Sequence, residues 1–144
     1  SQPHIISSFE NQITKEISKI EHPKLPRVQI NNENYWQETL KAMHDVIHDP
    51  KGTARGIGED SNYLMAGKTG TAQVFSMGQD EEYDEENIDE SLRDHALFIS
   101  FAPIIDPKIA VAVVIENGSS GSLVAAPIAK IVMDDYLRYH NDAI

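Results

Sequence analysis

With 144 residues, 40% of them hydrophobic, the chain is long enough for one domain with a core of its own. A formal net charge of −11 argues against binding to nucleic acid or charge-driven docking on an anionic membrane, and the lack of cysteine excludes disulfides and thiolate metal sites. No apolar run reaches membrane-spanning length and no signal peptide is visible, so the chain by itself is expected to be soluble.

Residues 1–33 read as a connector. Ile5 to Phe9 and Ile13 to Ile20 suit short extended pieces, and Pro23 and Pro26 break the stretch leading to the first helix. His4 and His22 stand alone, without visible chemistry. A helix is expected over 34–49. Trp36, Leu40, Met43 and Ile47 fall at i, i+4, i+7 and i+11, one apolar stripe. Asn34 with Gln37 resembles a capping box, and Asp49-Pro50 ends the helix. His44 and His48 have a spacing that can hold zinc on a helix face. Asp45 stands where the H-E-x-x-H pattern needs glutamate, and no third ligand is evident, so the pair reads as solvated. The glycine-rich stretch from Lys51 to Gly58 reads as a turn into the next strand.

That strand, expected over 63–75, carries Ala66-Gly67-Lys68-Thr69-Gly70-Thr71-Ala72-Gln73-Val74. Lys68 brings a cation and donors suited to a carboxylate. Thr69 and Thr71 share a face because strand side chains alternate, and Gln73 is expected beside them. Gly70 leaves the opposite face open to another backbone or a ligand. A phosphate-binding loop is the obvious rival. It needs a glycine where Asn62 stands and a helix where β-type residues continue, so the nucleotide reading fails. A bare Lys-Thr-Gly is more often an edge strand with a surface lysine, and its surroundings reverse that balance.

An acidic loop is expected over 76–95, with Asp80, Glu81, Glu82, Asp84, Glu85, Glu86, Asp89 and Glu90. Clustered carboxylates suit hard cations, but the spacing fits no EF-hand, and a solvated, mobile loop is the better description. A position gating the neighbouring strand is the lesser alternative. A hairpin is expected over 96–116. Leu97, Ile99 and Phe101 share one face of its first strand. In its second strand Ile109, Val111, Val113 and Ile115 form a bulky face, while Ala110, Ala112 and Val114 form a flatter one suited to a helix; both faces look buried. A closing helix is expected over 123–139, starting near Ala125 or Ala126 because Pro127 belongs in a first turn. Ile128, Ile131, Val132 and Met133 are expected to cover the sheet. The fold class is α+β, a three-stranded antiparallel sheet covered by helices.

Lys68-Thr69-Gly70 on a strand resembles one of three markers of the penicillin-recognising serine enzymes, the others being Ser-x-x-Lys and Ser-x-Asn. Gly52-Thr53-Ala54, Thr71-Ala72-Gln73-Val74, Leu92-Arg93-Asp94-His95-Ala96, Phe101-Ala102-Pro103, Val111-Ala112-Val113, Glu116-Asn117-Gly118 and Ala125-Ala126-Pro127 strengthen the likeness. Together they resemble the C-terminal part of a class B penicillin-binding protein, densely from about Trp36 to Leu137. The resemblance implies a partial fold of the penicillin-binding-protein and serine β-lactamase kind, incomplete without its upstream half. It implies a peptidoglycan D,D-transpeptidase that forms an acyl-serine intermediate, binds β-lactams and needs no cofactor or metal. By the same resemblance Lys68 is a catalytic residue that raises the local positive potential. Thr69, Gly70 and Thr71 bind the terminal carboxylate of the stem peptide or drug. Thr71 N–H forms half of an oxyanion hole, and Gln73 touches the stem peptide.

No serine is followed three places on by lysine or two places on by asparagine. The chain is therefore expected to be inactive alone, lacking the front half, membrane anchor and pedestal domain that such proteins carry. Implied partners are the stem peptide, β-lactams, the upstream half of the domain and, for a full-length parent, membrane proteins of the elongation complex. The implied location is the periplasmic face of the bacterial inner membrane. Two alternatives stand beside this: a non-catalytic fragment or interaction module that keeps part of the fold, and a serine β-lactamase relative.

Overall fold

A computed structural model of the chain describes residues 5–21, 26, 28–74 and 88–141. The chain forms two units, Ser1–Glu33 and Asn34–Ile144. The first, expected as a connector, holds a small antiparallel hairpin of β1 (Ser8–Glu10) and β2 (Ile17–Lys19), with Phe9 opposite Ser18. Asn11 shapes its turn: the side-chain oxygen accepts from Ile13 and Thr14 N–H at 2.9 and 3.2 Å.

The second unit is built on a sheet in the order β3–β4–β5, with β3 at Ala66–Ala72, β4 at His95–Ala102 and β5 at Ile109–Ile115, all antiparallel. Two helices complete it, α1 (Glu33–His48) and α2 (Ala126–Asn141). Helix α1 begins at Glu33, so Asn34, expected as its cap, lies inside the first turn. Its apolar stripe is graded: Trp36 is exposed, Leu40 and Met43 are half-buried, and Ile47 is sealed in the core. A single turn of π-helix, Gly121–Ala125, leads into α2. The expected acidic loop lies outside the described residues from Asp80 to Glu86. Asp89 is described, and its carboxylate accepts from Ser91 N–H at 2.9 Å, capping a short 3-10 turn.

The pairing register sorts the sheet into two faces. Thr69, Phe98 and Val113 lie side by side on one, with Thr71, Ala96 and Ile115 beyond them. This face holds the core: Ala96, Phe98 and Ala102 are fully buried. Lys68, Ile99 and Ala112 lie together on the other face. There Ile99 and Val114 are 53% and 61% exposed, which corrects the expectation of a sheet buried on both sides.

Helix α2 sits on the bulky face, not the flat one. Its core contacts come from Ala126, Ala129, Met133 and Leu137, while Ile128, Ile131 and Val132, expected to cover the sheet, are exposed. The physical reason is volume. Val111, Val113 and Ile115 already fill the layer, so close packing requires small residues opposite. Met133, correctly expected inside, fills the remaining gap. The segment entering β3 is tied to α2 by Tyr63, whose hydroxyl donates to Asp134 at 2.8 Å, while Lys130 donates to both oxygens of that carboxylate at 2.6 Å. Burial, and then the Asp134 carboxylate, push the Tyr63 phenol well above its ordinary range.

Candidate active site

β3 is an edge strand. β4 pairs with it from Ala66, opposite Phe101, to Ala72, opposite His95, and no described strand lies on its other side. In an antiparallel pair the N–H and C=O of one residue point to the same side, and the next residue points the opposite way. Leu64 C=O accepts from Ile104 N–H at 3.0 Å, toward the β4 side. Gly70 therefore faces β4, while Met65, Gly67, Thr69 and Thr71 present their backbone groups to the open edge. Two contacts agree. Lys68 Nζ donates to the Thr69 carbonyl at 2.6 Å, and His48 Nε2 lies 3.1 Å from the Met65 carbonyl oxygen and 3.3 Å from the Met65 nitrogen.

The side chains meet this edge from both faces. Thr69 and Thr71 come from the helix-covered face and Lys68 from the uncovered one. Lys68 and Thr71 are exposed, Thr69 and Gly70 half-buried. Among the described residues no carboxylate pairs with Lys68, so its charge stays available to a ligand. β3 ends at Ala72, one residue short of Gln73. Strand alternation therefore does not place the exposed Gln73 beside the two threonines.

Three neighbours of the strand were not named as site residues by sequence reasoning. Thr53 Oγ1 lies 3.4 Å from Thr69 Oγ1, adding a third hydroxyl. Its loop is fastened to the end of α1, since Ala54 N–H donates to the Val46 carbonyl at 2.9 Å. Gly121 packs where Gly70 and Leu97 meet. A Cβ there would fall within van der Waals contact of the Leu97 carbonyl oxygen and 2.8 Å from that of Gly70. Gly121 thus approaches the Gly70 backbone, whereas a Cβ on Gly70 itself would meet only the Leu97 side chain, at 3.3 Å, so the approach expected on the open side of Gly70 is not the one Gly121 makes. The third is His48. Read from sequence as half of a solvated pair, it holds the root of β3 instead, its ring 4.7 Å from that of His44 in a stack. Burial, then the neighbouring His44, lower its pKa below the ordinary histidine value. Thr53 had a signal, because it belongs to the Gly-Thr-Ala element that carried part of the resemblance.

An open strand edge with a free cation and two hydroxyls can take an extended peptide ending in a carboxylate. These features agree with the comparison to known families. The chain belongs to the penicillin-binding protein transpeptidase domain family, whose model matches residues 1–134. It is 38% identical over 137 residues to peptidoglycan D,D-transpeptidase MrdA of Haemophilus influenzae, covering 94% of this chain and 21% of that protein. Among solved structures, Pseudomonas aeruginosa PBP2 in complex with WCK 5153 superposes with a TM-score of 0.68 at 43% identity, covering 85% of this chain and 25% of that one. The complex between PBP2 and MreC from Helicobacter pylori matches with a TM-score of 0.58 at 28% identity, over 74% of this chain and 18% of that one. The likeness is thus to penicillin-binding protein 2 within the family, and the fold is a part of the transpeptidase fold. The chain spans about a fifth of the length of the curated relatives it matches.

Proposed function

We propose that this chain is the substrate-binding wall of a peptidoglycan D,D-transpeptidase whose acylating serine lies on sequence outside these 144 residues. The observation that carries it is the open edge of β3, where Thr69 and Thr71 present backbone and hydroxyl groups beside Lys68, which has no carboxylate partner among the described residues. A stem peptide ending in D-Ala-D-Ala, or a β-lactam that mimics it, lies along this edge as an added strand. Lys68 and the two threonine hydroxyls hold its carboxylate. Thr71 N–H points at the carbonyl oxygen that becomes negative as the serine attacks, and supplies one of the two oxyanion donors. Lys68 also holds the serine of the Ser-x-Asn element. Gln73 contacts the stem peptide beyond the strand end. In the whole protein this chemistry takes place on the periplasmic face of the inner membrane. Partners resembling MreC, which accompanies the Helicobacter pylori relative, join it there.

Labelling by a fluorescent penicillin tests this. The 144-residue chain alone gives no covalent adduct, because it has no Ser-x-x-Lys. Joined to the matching upstream part of a relative, it labels. There Thr71→Val slows acylation about 10- to 100-fold, the scale of one hydrogen bond to a charged group. Lys68→Ala slows it by about 100-fold or more, as loss of a charge partner does. An adduct on the chain alone, or full-rate labelling of the Lys68→Ala protein, refutes the proposal.

A further inference from the structure

We infer that His48 is a positioning residue for the Lys68 strand. It clasps Met65 on the same edge that presents Thr69 and Thr71, and protonation of its ring reverses the sense of the clasp.

Nε2 meets both backbone groups of Met65, at 3.1 Å from the oxygen and 3.3 Å from the nitrogen. One ring nitrogen cannot accept and donate at once. With the proton on Nδ1, Nε2 accepts from Met65 N–H; once doubly protonated, it can only donate to Met65 C=O. Met65 is fully buried and adjoins Ala66, the first residue of β3. The clasp therefore fixes the height of the edge on which Thr69 and Thr71 recur at period two. It also closes that edge, so a ligand pairing along it reaches no further than Gly67.

The ring is held on several sides. A Cβ on Gly58 would lie 3.3 Å from Nδ1, which wedges the imidazole against the loop after α1. Its hollow is lined by Ile47, Asp49, Pro50, Arg55, Gly58 and Glu59. The charged and titratable groups around it are thus Asp49, Arg55 and Glu59, with the stacked His44, whose Nδ1 lies 3.0 Å from Asp45. Burial, then the neighbouring His44, oppose the protonated ring, while the Met65 carbonyl favours it. Opposition prevails, since the ring titrates below its ordinary value. A histidine with a depressed folded pKa stabilises the fold above its ordinary pKa, and that contribution is lost as pH falls through the lower folded value. Taking β3 to be the substrate wall proposed above, ligand capture weakens over the same acidic window.

Nitrogen-15 NMR of the chain tests the clasp without needing catalysis. The Met65 amide shift follows the titration midpoint of the His48 ring, and the amide's exchange protection falls as pH drops through it. His44→Ala raises the midpoint. His48→Gln, whose amide accepts and donates together, keeps protection and abolishes its pH dependence. His48→Ala loses protection at every pH. A Met65 amide indifferent to the wild-type His48 titration overturns the inference, even where the variants fail to fold. So does full protection in His48→Ala. Failed penicillin labelling beside an intact clasp refutes the proposed function and leaves His48 its role.

Discussion

Replacing Gly121 by alanine tests how β3 is seated. A Cβ there would press on the Leu97 carbonyl and lie 2.8 Å from the Gly70 carbonyl oxygen, 3.3 Å from its nitrogen. These atoms belong to the strand ladder and cannot swing aside as a side-chain tip would. No described glycine has a positive φ, so backbone strain plays no part and crowding decides the sign. Overpacking of this kind costs about 1–3 kcal/mol, offset by about 0.4–1 kcal/mol from the lower entropy of the unfolded alanine chain. A net loss of about 1.5 kcal/mol is expected. Chains of this length lose about 0.3 kcal/mol per degree at the midpoint, so Tm falls by about 5 °C. Thermal unfolding by circular dichroism reads this, and amide shifts at Gly70 and Thr71 show whether the strand moved. Gly56→Ala is the internal control, because a Cβ at 56 meets nothing within 4 Å; it should hold stability or raise it. If Gly121→Ala melts at or above wild type, Gly121 does not support the strand.

Ser100 is 4% exposed on the core face of β4, and its hydroxyl has no partner among the described residues. Ser100→Ala should raise stability by about 1 kcal/mol in denaturant unfolding, and a loss would reveal a hydrogen bond there. Ile99 and Val114 stand on the uncovered sheet face beside two open strand edges, an invitation to self-pairing. Ile99→Lys with Val114→Lys should reduce association in light scattering while moving stability by less than about 1 kcal/mol. Unfolding of the double variant would mean that this face is packed in solution.

The legible parts of the fold were those set by local pattern. Alternation fixed β4 and β5 to within a residue, Pro127 placed the start of α2, and Lys68-Thr69-Gly70-Thr71 fell on a strand as expected. What misled was size taken as a sign of burial. Ile131 and Val132 were expected inside α2's contact because they are large, yet Ala126 and Ala129 are there, since the sheet brings the bulk. That trade is a property of two surfaces together and cannot be read from either alone. His48 failed for a related reason. Its partner lies 17 residues away and is a backbone group, which no side-chain spacing announces. Thr53 and Gly121 likewise owe their places to tertiary approach.

A donor that belongs to the main chain has no codon of its own. Any residue but proline at 71 would leave an N–H on that side of the strand, so, if the proposed oxyanion role holds, substitution at 71 cannot simply delete it. Weakening that proposed contact would instead require tilting or sliding the ribbon. The places where such movement starts are the glycine pressed behind it and the imidazole at its foot, neither of which is proposed to hold the ligand.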